Sequence, residues 1–200
     1  MKKKRPTQKT CIIGLTGNIA GGKGIIGELL KKNGYEYFSL SSQVRAIAKK
    51  RGEENAARAV LQNIGNEMRS NFGADILARL VGAEIFASAN NLTVIDGIRN
   101  PGEIEFFRRR HEFLLIAVTA PEKDRFERML ARNRPSDPKT WEDFLLMDER
   151  DLGKGESASG QQVGACIEMA DFILPNNWSV ESLEKRTIMV LESLRVKKNA

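Results

Sequence analysis

A glycine-rich loop that ends in lysine is the segment of this sequence best suited to bind a polyphosphate. The letters GNIAGGK at residues 17–23 fit the pattern G-x-x-x-x-G-K, after an apolar β-type run and before a helical pattern. Glycine permits positive φ angles that turn backbone N–H groups inward, and the helix N-terminus adds a positive dipole. Lys23 is then placed to bridge the β- and γ-phosphates and to offset charge during phosphoryl transfer. The predicted phosphate contacts are Gly17, Asn18, Ile19, Ala20, Gly21, Gly22, Lys23, Gly24 and Ile25.

The residue that follows Lys23 departs from the common form of such a loop. Gly24 stands where a Ser or Thr hydroxyl usually contacts magnesium, and Ile25 does not replace that hydroxyl. We therefore expect Mg²⁺ to be held mainly by nucleotide oxygens, water and carboxylates such as Asp96. A regulatory module that binds ATP with little turnover is accordingly an alternative to an enzyme. A glycine-rich turn with a surface lysine is the plainer alternative.

Apolar, β-rich stretches alternate with amphipathic stretches along the chain. This alternation is typical of βαβ units around a parallel sheet. A helix with apolar residues at helical spacing leaves the phosphate loop and ends at Asn33-Gly34. The sequence thus predicts an α/β P-loop NTPase fold, in which a five-stranded parallel sheet is flanked by helices on both faces. The predicted strands are residues 11–16, 35–40, 92–96, 113–119 and 171–174.

Capping patterns predict where several helices begin. Asn100 supplies a capping side chain, Pro101 a proline in the first turn, and Glu103 a reciprocal acid three residues after the cap. A proline or a polar side chain followed by an acid marks other starts in the same way. These further helix starts are predicted at residues 120–122, 137–138 and 179–181.

Size and composition favour a single soluble domain. The chain has 200 residues, of which 41% are apolar and 29% charged, within the usual range of one domain. The longest clean apolar run, residues 113–120, is far shorter than the roughly 20 residues of a membrane helix, and no signal-peptide pattern follows the N-terminus. Cys11 and Cys166 lack neighbouring ligands for zinc or further partners for a disulfide framework. We therefore expect a cytoplasmic protein without a membrane segment.

The positive charge of the chain is concentrated at its two ends. Removing the eight basic residues of the ends from the formal charge of +6 leaves −2 for the body, so the fold itself is not a basic platform for nucleic acid. We predict a basic flexible tail at residues 1–9, a single domain at 10–195 and a tail at 196–200. The expected partner is a small molecule, and the oligomeric state is left open. The eight residues are Lys2, Lys3, Lys4, Arg5, Lys9, Arg195, Lys197 and Lys198.

Two segments resemble the nucleoside monophosphate kinases. The G-K-G order at residues 22–24 resembles the phosphate loop of the adenylate-kinase type. The stretch VIDGIR at residues 94–99 is similar to the stretch of those kinases in which Asp-Gly precedes an arginine. The resemblance implies that Asp96 lies beside the phosphates as a ligand of magnesium or water, and that Arg99 reaches the acceptor. A turn acid and a surface charge are the alternatives.

A third segment resembles the acceptor-binding segment of the same kinases. Residues 39–45 follow the second predicted strand, as that segment does. The resemblance implies that Ser39, Ser41 and Arg45 bind the acceptor substrate, with Arg45 at the position of an arginine that contacts the acceptor phosphate. The aspartate often found in this segment is replaced by Ser42. Capping of the next helix is the alternative role for the serines.

The end of the chain is similar to dephospho-coenzyme A kinases. Residues 170–177 resemble the loop that lies against adenine in those enzymes, which implies that Asn176 contacts the nucleotide, whereas on residue type alone it is a turn residue. Residues 137–141 and 148–152 are similar to stretches of a dephospho-coenzyme-A-kinase-like group. The resemblance spans nearly the whole chain and implies ATP and Mg²⁺ as cofactors.

A charged, glycine-containing segment at residues 133–160 predicts a small helical lid. Phosphoryl transfer depends on positioning and positive charge more than on a covalent nucleophile. A basic lid that closes over ATP excludes water, so Arg132, Arg134 and Arg150 are predicted catalytic residues together with Lys23 and Asp96. A solvated, charged helix pair in which acids balance the arginines is the alternative.

The candidate acceptors differ in whether the attacking group must lose a proton. A phosphate acceptor is already anionic and needs arginine contacts, whereas a hydroxyl acceptor gains from a general base. Dephospho-coenzyme A kinases carry aspartates after the second strand, where Ser39 and Ser41 stand here. The sequence therefore predicts ATP-dependent transfer of the γ-phosphate to a nucleoside or deoxynucleoside monophosphate. Dephospho-coenzyme A kinase, with Asp96 as base, is the alternative.

Overall fold

The computed structural model contains a five-stranded sheet in which every neighbouring pair of strands is parallel. It describes residues 11–88 and 90–199, and side chains as far as Ser193. The strand order β2-β3-β1-β4-β5 confirms the predicted parallel sheet, and each strand boundary lies within one residue of its predicted place. The strands are β1 (Cys11–Gly17), β2 (Glu36–Ser39), β3 (Leu92–Asp96), β4 (Glu112–Thr119) and β5 (Phe172–Pro175).

Helices cover both faces of this sheet, as predicted. Side chains along a strand alternate between faces, so Ile12 and Ile95 belong to one buried cluster while their neighbours Ile13 and Val94 belong to the other. Strands buried on both faces explain the continuous apolar runs in the sequence. The helices of the described residues are α1 (Lys23–Lys32), α2 (Leu40–Lys50), α3 (Arg58–Phe72), α4 (Ile76–Ala87), α5 (Pro101–Arg108), α6 (Glu122–Arg132), α7 (Trp141–Leu152), α8 (Val163–Glu168) and α9 (Val180–Asn199).

The capping predictions were confirmed at α5 and corrected at α7. Asn100 and Glu103 form the predicted capping box at the start of α5. The predicted start at residues 137–138 was wrong, because the carboxylate of Asp137 accepts hydrogen bonds from Arg132 instead of capping a helix. The side chain of Thr140 accepts from the backbone N–H of Asp143, so α7 begins three residues later than predicted.

Residues 133–160, predicted to form the lid, include α7 and the turns on either side of it. Phe144 on α7 is fully buried in a small cluster with Ile19 and Met129. Asp148 is also buried and forms a two-pronged ion pair with Arg125 on α6. In this conformation α7 is therefore packed against the phosphate loop, and its role as a lid stays a prediction.

Both ends of the chain limit what can be said of the predicted tails. The basic tail at residues 1–9 lies outside the described residues. The backbone of α9 continues to Asn199, so residues 196–199 of the predicted tail are helical. Within the described part of the chain, no helix is both long and apolar enough to span a membrane.

Candidate active site

The loop from Gly17 to Lys23 joins the end of β1 to the start of α1. Gly17 and Gly22 adopt φ angles of 124° and 113°, a conformation that side chains disfavour. A Cβ atom at Gly17 would lie 2.0 Å from the carbonyl oxygen of Val118 on β4, so a larger residue does not fit. These constraints turn the backbone into the compact loop that the sequence predicts, with the N-terminus of α1 at its end.

The side chain of Lys23 folds back over this loop. Its Nζ donates to the carbonyl oxygens of Gly17 at 2.6 Å and Asn18 at 2.8 Å. Burial lowers the pKa of the ammonium group to about 8, and the charge of Asp96 partly opposes that shift. An anion bound in the loop would stabilise the charged form of Lys23, so the site favours a negatively charged ligand.

Three side chains that sequence reasoning missed or assigned differently brace the loop. Asn176, predicted to contact adenine, is buried and donates through Nδ2 to the carbonyl oxygen of Gly21 at 2.9 Å. Arg125 lies within reach of the carbonyl oxygen of Ile19 at 3.4 Å. Arg128 donates to the carbonyl oxygen of Asn176 at 2.9 Å, while its Nη1 is buried without a hydrogen-bond partner. The loop shape is therefore held from β5 and α6 as well as by its own glycines.

Asp96 lies at the end of β3 beside the phosphate loop, in register with Leu15 of β1. Its Oδ2 accepts a hydrogen bond from the hydroxyl of Tyr37 at 2.8 Å, and its Oδ1 is buried without a partner. Burial, followed by the charge of Asp96, raises the pKa of the Tyr37 phenol, so this hydroxyl remains a donor at neutral pH. The carboxylate is thus oriented by Tyr37, with one oxygen left for a ligand.

The donor set at this position fits magnesium bound together with a nucleotide. The described residues contain no group of three or more His, Cys, Asp or Glu side chains arranged to hold a metal ion. Magnesium usually binds through one or two carboxylates and completes its shell with phosphate oxygens and water. The free Oδ1 of Asp96 could supply one such ligand, and the role of this residue in holding magnesium stays a prediction.

A cleft open to solvent lies between α2, α3 and the end of β3. The empty space in it, including part of the open solvent, is about 480 Å³. It brings together three of the predicted acceptor residues, Ser41, Arg45 and Arg99. The fourth, Ser39, takes the N-cap position before α2. Arginine is prominent among the lining residues, and none of them is acidic. The lining consists of Leu40, Ser41, Val44, Arg45, Arg58, Leu61, Gln62, Gly65, Arg69, Leu77, Gly97, Arg99 and Gln161.

Arg99, predicted to reach the acceptor, is held by partners on the far side of the cleft. Its Nη1 donates to Asp151, which is buried at the end of α7, and to Oε1 of Gln161 at 2.8 Å. The predicted site segment after β3 is therefore tied to the predicted lid. Movement of α7 would change the position of Arg99.

The predicted lid arginines occupy different environments. Arg132 pairs with Asp137 through contacts of 2.6 and 2.9 Å. Arg134 is exposed. Arg150 donates to Glu156 at 2.5 Å and to Asn63 at 2.7 Å, on the α3 side of the molecule. The catalytic roles of all three stay predictions.

Comparison with known proteins gives this architecture a family. A family model described as an AAA domain, AAA_18, matches residues 13–149. A UPF0200 protein of Methanothermobacter thermautotrophicus is 30% identical over 187 residues, which cover 93% of this chain and 92% of that protein. A UPF0200 protein of Thermococcus gammatolerans is 34% identical over 192 residues, which cover 92% and 95%. The chain belongs to the UPF0200 family and carries an AAA_18 domain.

Solved structures similar to this UPF0200 protein include kinases of small molecules. TT1252 from Thermus thermophilus gives a TM-score of 0.57 at 23% identity, over 94% of this chain and 99% of that one. A shikimate kinase from Acinetobacter baumannii gives 0.56 at 17% identity, over 94% of each chain. Identities this low show the fold alone. They confirm the predicted P-loop NTPase fold.

The missing hydroxyl after Lys23 can be tested directly. Gly24 is exposed and a Cβ atom there would meet nothing within 4 Å, so serine fits without rearrangement. Both Gly24→Ser and Gly24→Ala should strengthen α1, since glycine is a poor helix residue. If the hydroxyl supplies a magnesium contact, Gly24→Ser should exceed Gly24→Ala in turnover at limiting Mg²⁺ by about tenfold, equivalent to ~1.4 kcal/mol. Equal turnover of the two variants would show that magnesium placement does not limit the reaction.

Proposed function

We propose that this UPF0200 protein is an ATP-dependent phosphotransferase that moves the γ-phosphate to a small nucleotide-like acceptor, a nucleoside or deoxynucleoside monophosphate. One observation carries the proposal. Lys23 and Asp96 lie close enough for their charges to interact, at the carboxyl edge of the sheet, where the arginine-lined cleft also opens. Ligands of open α/β sheets bind at this edge.

Each part of the site has a task in such a reaction. The loop N–H groups and the N-terminus of α1 bind the phosphates, and Lys23 exchanges its carbonyl partners for phosphate oxygens. Magnesium bound with ATP would offset the charge of the phosphate oxygens, and the free Oδ1 of Asp96 would be the residue to hold it. The contacts between α7, Ile19 and Arg125 keep water away from this side of the loop.

The cleft favours an anionic acceptor over a neutral alcohol. Arginines line it and no acidic residue does, so a phosphate group is well matched while a general base is absent from the walls. Dephospho-coenzyme A kinase remains the second candidate because Asp96, with a free carboxylate oxygen, stands near enough to the loop to serve as base. With dephospho-coenzyme A as the acceptor, the carboxylate of Asp96 would have to hold the metal and also take the proton of the hydroxyl group.

The direct test measures transfer of labelled γ-phosphate from ATP. The purified protein is incubated with ribo- and deoxyribonucleoside monophosphates and, separately, with dephospho-coenzyme A, beside a Lys23→Ala control. Transfer to a monophosphate that the control lacks supports the proposal. Selective transfer to dephospho-coenzyme A favours the second candidate. ATP binding without transfer to any member would contradict both and identify a regulatory module, the alternative that Gly24 raised.

A further inference from the structure

One face of α3 runs along the whole length of the cleft. Five residues of α3 contribute to the lining, and their spacing places them on one side of a helix. They are Arg58, Leu61, Gln62, Gly65 and Arg69. Two of them, Arg58 in the first turn and Arg69 in the last, are arginines. None of these residues formed part of the predicted site.

Arg58 is a cation without a counterion. Its Nε is buried and has no hydrogen-bond partner. Burial and, after it, the charge of Arg99 lower the pKa of its guanidinium to about 10. The two acids that act on it, Asp151 and Asp137, already pair with Arg99 and Arg132.

The position of Arg58 in its helix adds to this imbalance. It is the first residue of α3, where the helix dipole is positive, and the first turn contains no acidic residue. The preceding residue, Ala57, makes no side-chain cap. A cation here is repelled by its own helix, and the buried Nε without a partner adds a further cost in stability. A bound anion would satisfy the guanidinium and the helix N-terminus together.

Arg69 contributes a second unused donor to the same wall. It is buried and its Nη2 lies 2.9 Å from Oε1 of the buried Glu103, so one side of the guanidinium is neutralised. Its Nη1 is buried and has no partner. The absence of a side chain at Gly65 leaves room for this nitrogen, because a Cβ atom there would lie 3.3 Å from it.

We propose that Arg58 binds the phosphate group of a phosphomonoester acceptor, with the free Nη1 of Arg69 as a further donor on the same wall, so that the cleft selects dianionic acceptors over their neutral hydroxyl analogues. This inference rests on the proposed function for its assignment of the cleft to the acceptor. Arg58 carries the charge match, since Arg99 is occupied by Asp151 and Gln161. The apolar side chains of Leu40, Val44 and Leu61 then face the rest of the acceptor.

The experiment measures equilibrium binding without turnover. Titration calorimetry at fixed salt compares AMP, CMP, GMP, UMP and dTMP with the matching nucleosides, on the parent, Arg58→Gln, Arg58→Lys and the exposed control Arg109→Gln. At least one monophosphate should bind the parent more than tenfold tighter than its nucleoside. Arg58→Gln should lose about 10- to 150-fold of that affinity, the range of a hydrogen bond to a charged group, and keep ATP affinity within about threefold. Arg58→Lys should fall between them because lysine lacks the planar fork.

A readout of folding separates binding from damage to the protein. Removal of an unpaired, partly buried cation should leave the melting temperature of Arg58→Gln at or above that of the parent, and a monophosphate should raise the melting temperature of the parent more than that of the variant. Unchanged monophosphate affinity in Arg58→Gln overturns the inference, as does equal affinity of the parent for nucleosides and monophosphates. Monophosphate binding that depends on Arg58, without any transfer from ATP, upholds the inference while the proposed function fails. If the protein transfers phosphate to a monophosphate and Arg58→Gln does so equally well, the proposed function stands and the inference fails.

Discussion

Replacement of Lys23 by methionine is expected to abolish phosphoryl transfer and to weaken ATP binding by about 100-fold or more, the loss of charge-assisted contacts to two phosphates. In the structure its Nζ donates to the backbone carbonyl oxygens of Gly17 and Asn18, contacts that methionine cannot make. Calorimetric ATP binding and labelled transfer measure the two effects. Lys32→Met is the matched control, because Lys32 lies on the same helix and is exposed. Parent-like ATP affinity in Lys23→Met would contradict the assignment of the loop.

The same variant should stabilise the protein at neutral pH. The pKa of Lys23 is about 8 in the folded protein against an ordinary 10.5, so between these values the unfolded chain binds a proton that the folded chain has lost. Lys23 therefore makes the free energy of unfolding rise with pH across that interval. Below the interval the group is charged in both states, and the full cost of burying the ammonium is present. The gain of Lys23→Met should be largest near pH 7 and fade towards pH 10. ATP affinity of the parent should fall as pH rises above about 8.

The strands and the phosphate loop were predictable because their signals are local. An apolar run such as Ile12–Leu15 marks a strand by itself, and residues 17–23 carry the glycines and the lysine within one short segment. The capping box at Asn100 is equally local, since its two side chains lie three residues apart. Patterns of this length indicate where an element begins and ends, even where distant contacts then hold its shape, as Asn176 does for the loop.

The contacts that complete the site were not predictable, because they join distant parts of the chain. Asn176 braces Gly21 across 155 positions, and Arg99 meets Asp151 across 52. Arg58 carries no motif at all. Its place in the cleft depends on how α3 packs against α2 and α4, which single-sequence patterns do not specify.

Several buried polar atoms that lack partners belong to the candidate site. The Oδ1 of Asp96 and the Nε of Arg58 are both buried without hydrogen bonds, and Lys23 is charged at a cost that burial imposes. Arg125 and Asp148 are a buried pair outside the cleft, while Nη1 of Arg128 and Nη2 of Arg186 also lack partners. Natural proteins tend to break the rule of polar satisfaction where a ligand restores it. The unsatisfied groups therefore support one site that takes phosphates on the loop and an anion in the cleft.

Replacement of Asp96 by asparagine is expected to lower turnover by about 100- to 1,000-fold, as loss of one well-placed electrostatic contact does, while ATP binding without metal changes little. Asparagine keeps an oxygen to accept the hydrogen bond of Tyr37. Tyr37→Phe retains the carboxylate and should lose less than about tenfold. The charge of Asp96 raises the pKa of Lys23, so the decline of ATP affinity with pH should begin at lower pH in Asp96→Asn than in the parent.

The response of Asp96→Asn to magnesium then decides which acceptor chemistry this carboxylate serves. A phosphate acceptor needs no base, so raised Mg²⁺ should restore part of the lost turnover when only a metal contact is missing. A hydroxyl acceptor would leave the variant inactive at every Mg²⁺ concentration, because no acidic residue lines the cleft to take the proton. Recovery supports the monophosphate assignment and failure to recover supports dephospho-coenzyme A. Turnover equal to that of the parent would remove Asp96 from the reaction altogether.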